Sequence, residues 1–578
     1  MALRICLVTP FAWSQPHSVN EHVAGVAQEL RALGHAVTIL ASSNRAADLG
    51  AGRRALQDSV PDGDLIALGP AVPISRRSRI AVPVGVRANL TAALEGGRYD
   101  VVHGFEPALP SLSYLALREA KSLTVATFLS PERIAYPPGR AQRERLLGRL
   151  DALLATSPET AVAAAERFPG DYRIISEGVD ISLFEPLSKA KLIAIEWLPT
   201  DRPLARAAVH TLDELPDWRI LFLRTKPLTG RPYVPRAFLD RVELRTARDA
   251  PSRATVLNEA AIYVPSPRGI TRVALEAEAA GAAVAAPRGV SDQPQLAAAE
   301  MGRLADDDAY RARVAAAGRE SAERQTFAEV AHELEGLYER LRGRRRSPKR
   351  DADPLAGRDW IVVDLHTHTD ASHDCRVPAE LLLDQAEVEG LGAIAITDHN
   401  VFAGAQEALQ LAGGRELIVI PGEEVKTDHQ GEIIGLFLEH EIPRGQSFGD
   451  TVAAIKEQGG LIYLPHPFDR MHAIPDAATL HRHLADIDVF EVYNARLLFE
   501  TYNDEALRFA RKYNLTMGAG SDAHVLQGLG TGALRMRRFD GPGEFLLSLR
   551  TAEILRRPKS LLYLQSLKWA AQAKERVR

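Results

Sequence analysis

The sequence predicts an α/β protein in which two Rossmann-like parallel-sheet units precede a β/α barrel. Three observations predict it. Through the first 340 residues, short β-branched runs alternate with helical patterns, as in parallel sheets covered by helices. A basic stretch broken by prolines then interrupts the pattern. Beyond it, five apolar strand-like runs end on His, Asp or Glu, and strands of a closed parallel barrel converge at their C-termini on one face.

The composition sets the bounds. At 578 residues the chain exceeds one ordinary core and allows three or four domains of roughly 100–200 residues. With 46% apolar and 25% charged residues it is neither disordered nor fibrous. A net charge of −5 gives no global reason to expect nucleic-acid binding. Two cysteines, Cys6 and Cys375, make no disulfide framework, which points to a reducing, cytoplasmic setting. No run reaches the ~18–20 apolar residues of a membrane span, and the N-terminal apolar run stops at Pro10, short of a signal peptide. Eleven of the 17 histidines lie beyond residue 360.

The elements follow in order. Residues 5–8 read as a buried strand, and residues 21–33 as a helix stopped by Gly34. Further strands are expected at 36–41, 99–103 and 123–128. A second unit is expected to begin near Tyr172, with strands at 192–195, 219–223, 242–244 and 261–264 and a closing helix from Phe327 to Leu341. Six of the nine residues from Arg342 to Arg350 are basic, and Pro348 and Pro354 break any helix, so the segment reads as a solvated linker. The expected domains are therefore 1–170, 171–341, a linker at 342–359, and 360–578. A helix is expected after Pro558, docked on its own protein.

The chemistry concentrates beyond residue 360. His366 and His368 sit two apart at a strand end, which puts both imidazoles on one face. Asp398 and His399, Glu423 and Glu424, His466, and Asp522 with His524 close four later strands. One such residue would be a satisfied polar group at a core edge. Five strand ends in order point to a multinuclear metal centre.

This ordered set resembles the polymerase and histidinol phosphatase (PHP) superfamily, on Asp-x-His-x-His-Thr, Thr-Asp-His, Pro-Gly-x-Glu, Leu-Pro-His-Pro and Ser-Asp-Ala-His. The resemblance implies a distorted seven-stranded β/α barrel binding two or three divalent ions (zinc, manganese or iron) and hydrolysing phosphate esters. Carried over by position, it gives His366, His368, Glu424 and Asp522 one metal. Glu424 would bridge to a second shared with His466, and Asp374, His399 and His524 would hold a third. Glu432 stands where three-metal members usually carry a His; it could ligate a harder ion, or His429 nearby could substitute. Asp364 and Asp398 read either as groups orienting ligand imidazoles or as strand-end caps. Arg470 and Arg496 could clamp a phosphate, each with an ordinary surface or ion-pair reading beside it. His472, His481 and His483 follow no ligand spacing and read as surface residues.

The first ~340 residues resemble retaining glycosyltransferases of family 4, which have the two-domain GT-B architecture. The resemblance rests on Val8-Thr-Pro, Val19-Asn-Glu-His-Val, Tyr99-Asp-Val-Val-His, Glu177-Gly-Val-Asp and Leu275-Glu-Ala-Glu. Three departures fall on the implied donor site. Trp197 replaces an Arg, with Arg202 left to stand in for a Lys. Arg268 occupies the first position of the Glu-x7-Glu pair whose second member is Glu276, and the Gly-rich segment after Ala286 is shortened. The expectation is a metal-dependent phosphoesterase acting on a small phosphate ester or nucleotide, fused to a degenerate transferase-like module that could still take a sugar or sugar nucleotide in its cleft. The alternatives are an active transferase with an accessory PHP domain, and a non-catalytic binding protein.

Overall fold

A computed structural model describes residues 2–57, 63–73, 81–83, 85–225, 230–266, 271–285, 293–346, 353–557, 559–560 and 566. Arg268, residues 286–292, residues 347–352 of the expected linker and nearly all of the tail expected as a helix lie outside the described residues. The chain divides into two compact units, Met1–Arg340 and Leu341–Arg578. No helix among the described residues is long and apolar enough to cross a membrane.

The first unit holds two parallel sheets. The seven-stranded sheet runs Leu65–Ala67, Ala36–Ala41, Arg4–Val8, Val101–Phe105, Leu123–Phe128, Ala152–Ala155 and Tyr172–Ile174. The five-stranded sheet runs Val242–Thr246, Arg219–Arg224, Ala190–Glu196, Ala260–Val264 and Ala283–Val284. In both, strand order reverses beside the first strand, the doubly wound pattern. The first helix, Ser18–Ala32, starts three residues earlier than expected, because the His17 side chain accepts from the Val19 N–H and caps it. Gly34, at φ +90°, takes the left-handed turn that ends it.

Two boundaries differ from the sequence reading. Tyr172–Ile174 does not open the second sheet; it pairs parallel with Ala152–Ala155 as the last strand of the first. The expected linker is also shorter. The closing helix Phe327–Gly343 takes its first two residues. Arg346 donates to carbonyl oxygens of the barrel unit, 3.2 Å at Leu484, and Arg358 pairs with Asp540 and Glu544. These guanidiniums tie the start of the segment to barrel carbonyls and carboxylates.

One buried acid gives a stability prediction. Glu106 follows the strand Val101–Phe105 in the left-handed region (φ 48°), fully buried, with one carboxylate oxygen 3.1 Å from Arg133 and the other without a hydrogen bond. Burial pushes its carboxyl up from 4.5 to about 7, against the pull of Arg133. The folded state holds a proton that the unfolded chain has released, so this group's contribution is full below pH 4.5 and is lost as pH rises to about 7. Glu106→Gln removes that dependence. Its stability relative to the parent should rise across the window by on the order of 3 kcal/mol, read from thermal melts on either side; a constant difference would refute the assignment.

The second unit is the barrel. Its strands in chain order are Trp360–Thr367, Ala393–Ile396, Ile418–Lys426, Glu432–Leu436, Leu461–Leu464, Val489–Asn494 and Met517–Gly520. Neighbours in this order are hydrogen-bonded, and the fourth strand runs antiparallel to both of its neighbours. A bridge between Thr367 and Ala523 brings the first strand back to the seventh. The sheet holds nine strands in all, two more than expected: Gly532–Arg537 pairs antiparallel with the start of the first strand, and Glu553–Arg556 pairs with it in turn. Val363, Leu365, Ala395, Ile420, Ile434 and Tyr463 pack the interior. This apolar plug holds the strand ends in fixed register beneath the site.

Candidate metal centre

The strand ends deliver their polar side chains to one place. His366 lies in the first strand and His368 just beyond it. His399 follows the second strand, Glu424 lies in the third, Glu432 opens the fourth, His466 follows the fifth, and Asp522 and His524 follow the seventh. His466 (φ 24°) and Asp522 (φ 53°) sit in the left-handed region, where non-glycine backbone stores about 1–3 kcal/mol. That strain turns the chain sharply after each strand and aims both side chains inward.

Glu424 is the hub. Its Oε2 lies 3.3 Å from His366 Nε2, 3.5 Å from His368 Nε2 and 3.1 Å from His399 Nδ1; its Oε1 lies 3.1 Å from His466 Nε2. Asp522 Oδ1 stands 3.4 Å from His368 Nε2, and Asp374 Oδ2 stands 2.8 Å from His524 Nε2. Glu432 is 4.0 Å from His399 Nδ1 and 3.9 Å from His466 Nε2. Among the described residues, four groups have ligand atoms within 4.8 Å of one another: His366, His368 and Asp522; His366, Glu424 and His466; His399, Glu424 and Glu432; and His368, His399 and His524. His429 enters none of them, being exposed beside Asp428.

The electrostatics suit cations. Burial works against charge on Glu424, yet His366 and His399 hold its carboxyl well below the usual range. Asp522, also buried, is held low by Arg496 and His366. Burial and the neighbouring His524 push His368 well below its usual value, so it is neutral, the form that coordinates metal. Neither ring nitrogen of this fully buried His368 makes a hydrogen bond. An orphaned buried imidazole beside two ionised carboxylates fits a site whose missing partner is a divalent ion.

Asp364 and Asp398 act as caps. Asp364 accepts from the N–H groups of His366, Ser521 and Gly530 at 2.9–3.3 Å, and Asp398 from the Thr369 N–H and hydroxyl at 2.6 and 2.7 Å. They fix the loops that carry the imidazoles, and neither is hydrogen-bonded to a ring nitrogen. The carboxylate that does orient an imidazole is Glu491, which the sequence reading missed. It is 3.1 Å from His366 Nδ1, accepts from Tyr463 OH at 2.8 Å, and accepts from the His466 N–H at 2.6 Å. Its signal was a lone acid within the apolar run Val489-Phe-Glu-Val-Tyr.

Arg496 reaches the cluster, with Nη1 3.1 Å from Asp522 Oδ1 and 3.2 Å from His524 Nε2 while its side chain stays 38% exposed. Arg470 instead faces Glu505 at 3.7 Å. Behind His366, Gly520 leaves no room for a side chain: a Cβ there would meet the His366 Cβ at 2.3 Å. Gly520→Ala should displace His366 and lower bound metal, measured by elemental analysis of the folded variant; metal content equal to the parent's would contradict the placement.

In the first unit, Trp197 is buried in the core against Phe222. Arg202 is exposed at the start of the helix Arg202–His210. Glu276 is tied to Arg253 at 2.7 Å and to Arg272 at 3.3 Å, and Glu21 pairs with both arginines.

A cluster of candidate metal ligands on a β/α barrel, preceded by a GT-B pair of sheets, defines a chain assembled from two enzyme-family folds. The PHP domain model matches residues 364–508, the PHP-associated model residues 500–554, and the Glycosyltransferase Family 4 model residues 19–183. The chain belongs to the PHP family through its C-terminal unit and carries a glycosyltransferase family 4 unit at its N-terminal side. It is 35% identical over 215 residues to the uncharacterized protein MJ0417 of Methanocaldococcus jannaschii, covering 35% of this chain and 85% of that one. It is 27% identical over 396 residues to the phosphatidyl-myo-inositol mannosyltransferase of Mycobacterium tuberculosis strain H37Rv, covering 59% and 98%. Among solved structures, sucrose-phosphate synthase from Thermosynechococcus elongatus aligns at a TM-score of 0.43 and 17% identity, covering 58% and 98%.

Proposed function

We propose that the barrel is a divalent-metal-dependent phosphoesterase, of phosphatase or nuclease type, and that the GT-B module is degenerate. The observation that carries the first part is the orphaned His368 imidazole between Glu424 and Asp522. His366, His368, Glu424 and Asp522 would hold one ion, with Glu424 shared toward His466 and Glu432, and Asp374, His399 and His524 would hold another. Manganese, zinc or iron suits this mixed imidazole and carboxylate set. Such ions supply Lewis acidity toward phosphoryl oxygens and acidify a water molecule. The chain's own residues do the rest. Glu491 fixes the His366 ring, the carboxylates of Asp364 and Asp398 cap the loops, and Arg496, paired with Asp522, would meet phosphoryl oxygens.

The GT-B reading rests on charge. Glu276 is neutralised by two buried arginines, and an indole stands where the family's diphosphate-binding Arg is expected. Calorimetry with sugar nucleotides on the full chain tests it; tight binding with transfer to an acceptor would favour the active transferase. Two buried free cysteines agree with a cytoplasmic setting. The main test is a screen of nucleoside monophosphates, sugar phosphates and oligonucleotide ends with added manganese or zinc. Release of phosphate or nucleotide is expected; no turnover in any class would reject the reading.

A further inference from the structure

His472 has no ligand spacing in the sequence, yet the fold sets it beside the candidate metal centre. After the fifth barrel strand the chain turns through His466, and the turn is built around Asp469. The Asp469 N–H donates to the His466 carbonyl at 3.0 Å, and the His472 N–H donates to the Asp469 carbonyl at 3.1 Å. The nearly buried Asp469 carboxylate then takes two bonds of its own. Its Oδ1 accepts from the Met471 N–H at 3.0 Å, and its Oδ2 lies 2.7 Å from His472 Nδ1. The His472 ring centroid is 6.0 Å from that of His466. Its side chain is 65% exposed, and its Nε2 makes no hydrogen bond to any described residue. An aspartate therefore holds one nitrogen of an exposed ring that lies beside His466, and the other nitrogen is left without a hydrogen bond to a described residue. This is the arrangement of an oriented acid–base imidazole. A second i,i+3 pair, His483 with Asp486, has similar geometry but lies against Phe448, away from the cluster.

We propose that His472, held by Asp469, donates its Nε2 proton to the leaving oxygen of the phosphate ester. The inference rests on the phosphoesterase reading above. As water's oxygen forms its bond to phosphorus, that water gives up one proton to solvent and the bond from phosphorus to the leaving oxygen breaks. The electron pair stays on that oxygen, the oxygen takes the Nε2 proton, and His472 is left neutral until solvent reprotonates it. Asp469 is a positioning residue in this scheme, since it acts through His472.

The test compares leaving groups on the full chain loaded with manganese. A nitrophenolate leaves without help, whereas an alkoxide needs a proton. His472→Gln should therefore lose about 100-fold or more in kcat on an alkyl phosphate, within the range for a lost general acid, and under about 10-fold on p-nitrophenyl phosphate. Asp469→Asn should shift the same ratio in the same direction. Metal content should match the parent's in both variants. Equal losses on the two esters, or lost metal, would overturn the proposal while leaving the phosphoesterase reading intact, because the parent's turnover of p-nitrophenyl phosphate reports on that reading separately. A parent inactive on every ester would overturn both.

Discussion

Replacing His366 and His368 together by alanine is expected to remove bound metal and to reduce phosphate-ester turnover to background. The two imidazoles supply Nε2 atoms on either side of Glu424 Oε2, at 3.3 and 3.5 Å. Their loss leaves the ionised Glu424 and Asp522 without the neutral donors that share a cation with them. Folding should survive, since both side chains pack around the site while the plug beneath, from Val363 to Tyr463, is untouched. Circular dichroism alongside elemental analysis checks both halves of the statement. Activity and metal retained in the folded double variant would move the site elsewhere.

Glu491→Gln is expected to have the next largest effect. The carboxylate fixes the His366 ring through Nδ1 and the His466 loop through its backbone N–H, with Tyr463 and Asn494 donating to its two oxygens. Removing such an acid behind a ligand imidazole lowers metal affinity by roughly 10- to 100-fold. Gln also replaces with an NH2 an oxygen on which two donors converge, so both of those buried donors lose their acceptor. Metal titration of the variant should show weaker binding with the full number of sites. Unchanged affinity would mean that Glu491 serves the fold alone.

The barrel centre was legible because its chemistry follows a rule of position. Ligand candidates sit at strand C-termini, and strand runs can be read from apolar patterning, so the five strand ends could be lined up before any coordinates were known. The same rule explains what went unread. Asp364 and Asp398 share those positions with the ligand candidates, but their oxygens are taken by backbone N–H groups, which sequence does not show. Glu491 lies within a strand, where a single acid resembles an exposed strand residue until its neighbours are known to be buried. The unit boundary expected near Tyr172 falls too early because the short strand Tyr172–Ile174 carries no mark of its pairing partner. His472 looked like a surface residue, and it is exposed; what the spacing could not say is that the turn through Asp469 returns it to His466.

The most direct measurement of the central claim is metal stoichiometry and turnover on one sample of the full chain. The protein is stripped with a chelator and then titrated with manganese or zinc. Two or three ions should bind per chain, and hydrolysis of a phosphate ester should vanish on stripping and return in step with binding. Turnover that survives stripping, or a chain that binds no divalent ion, would contradict a metal-dependent phosphoesterase in the barrel.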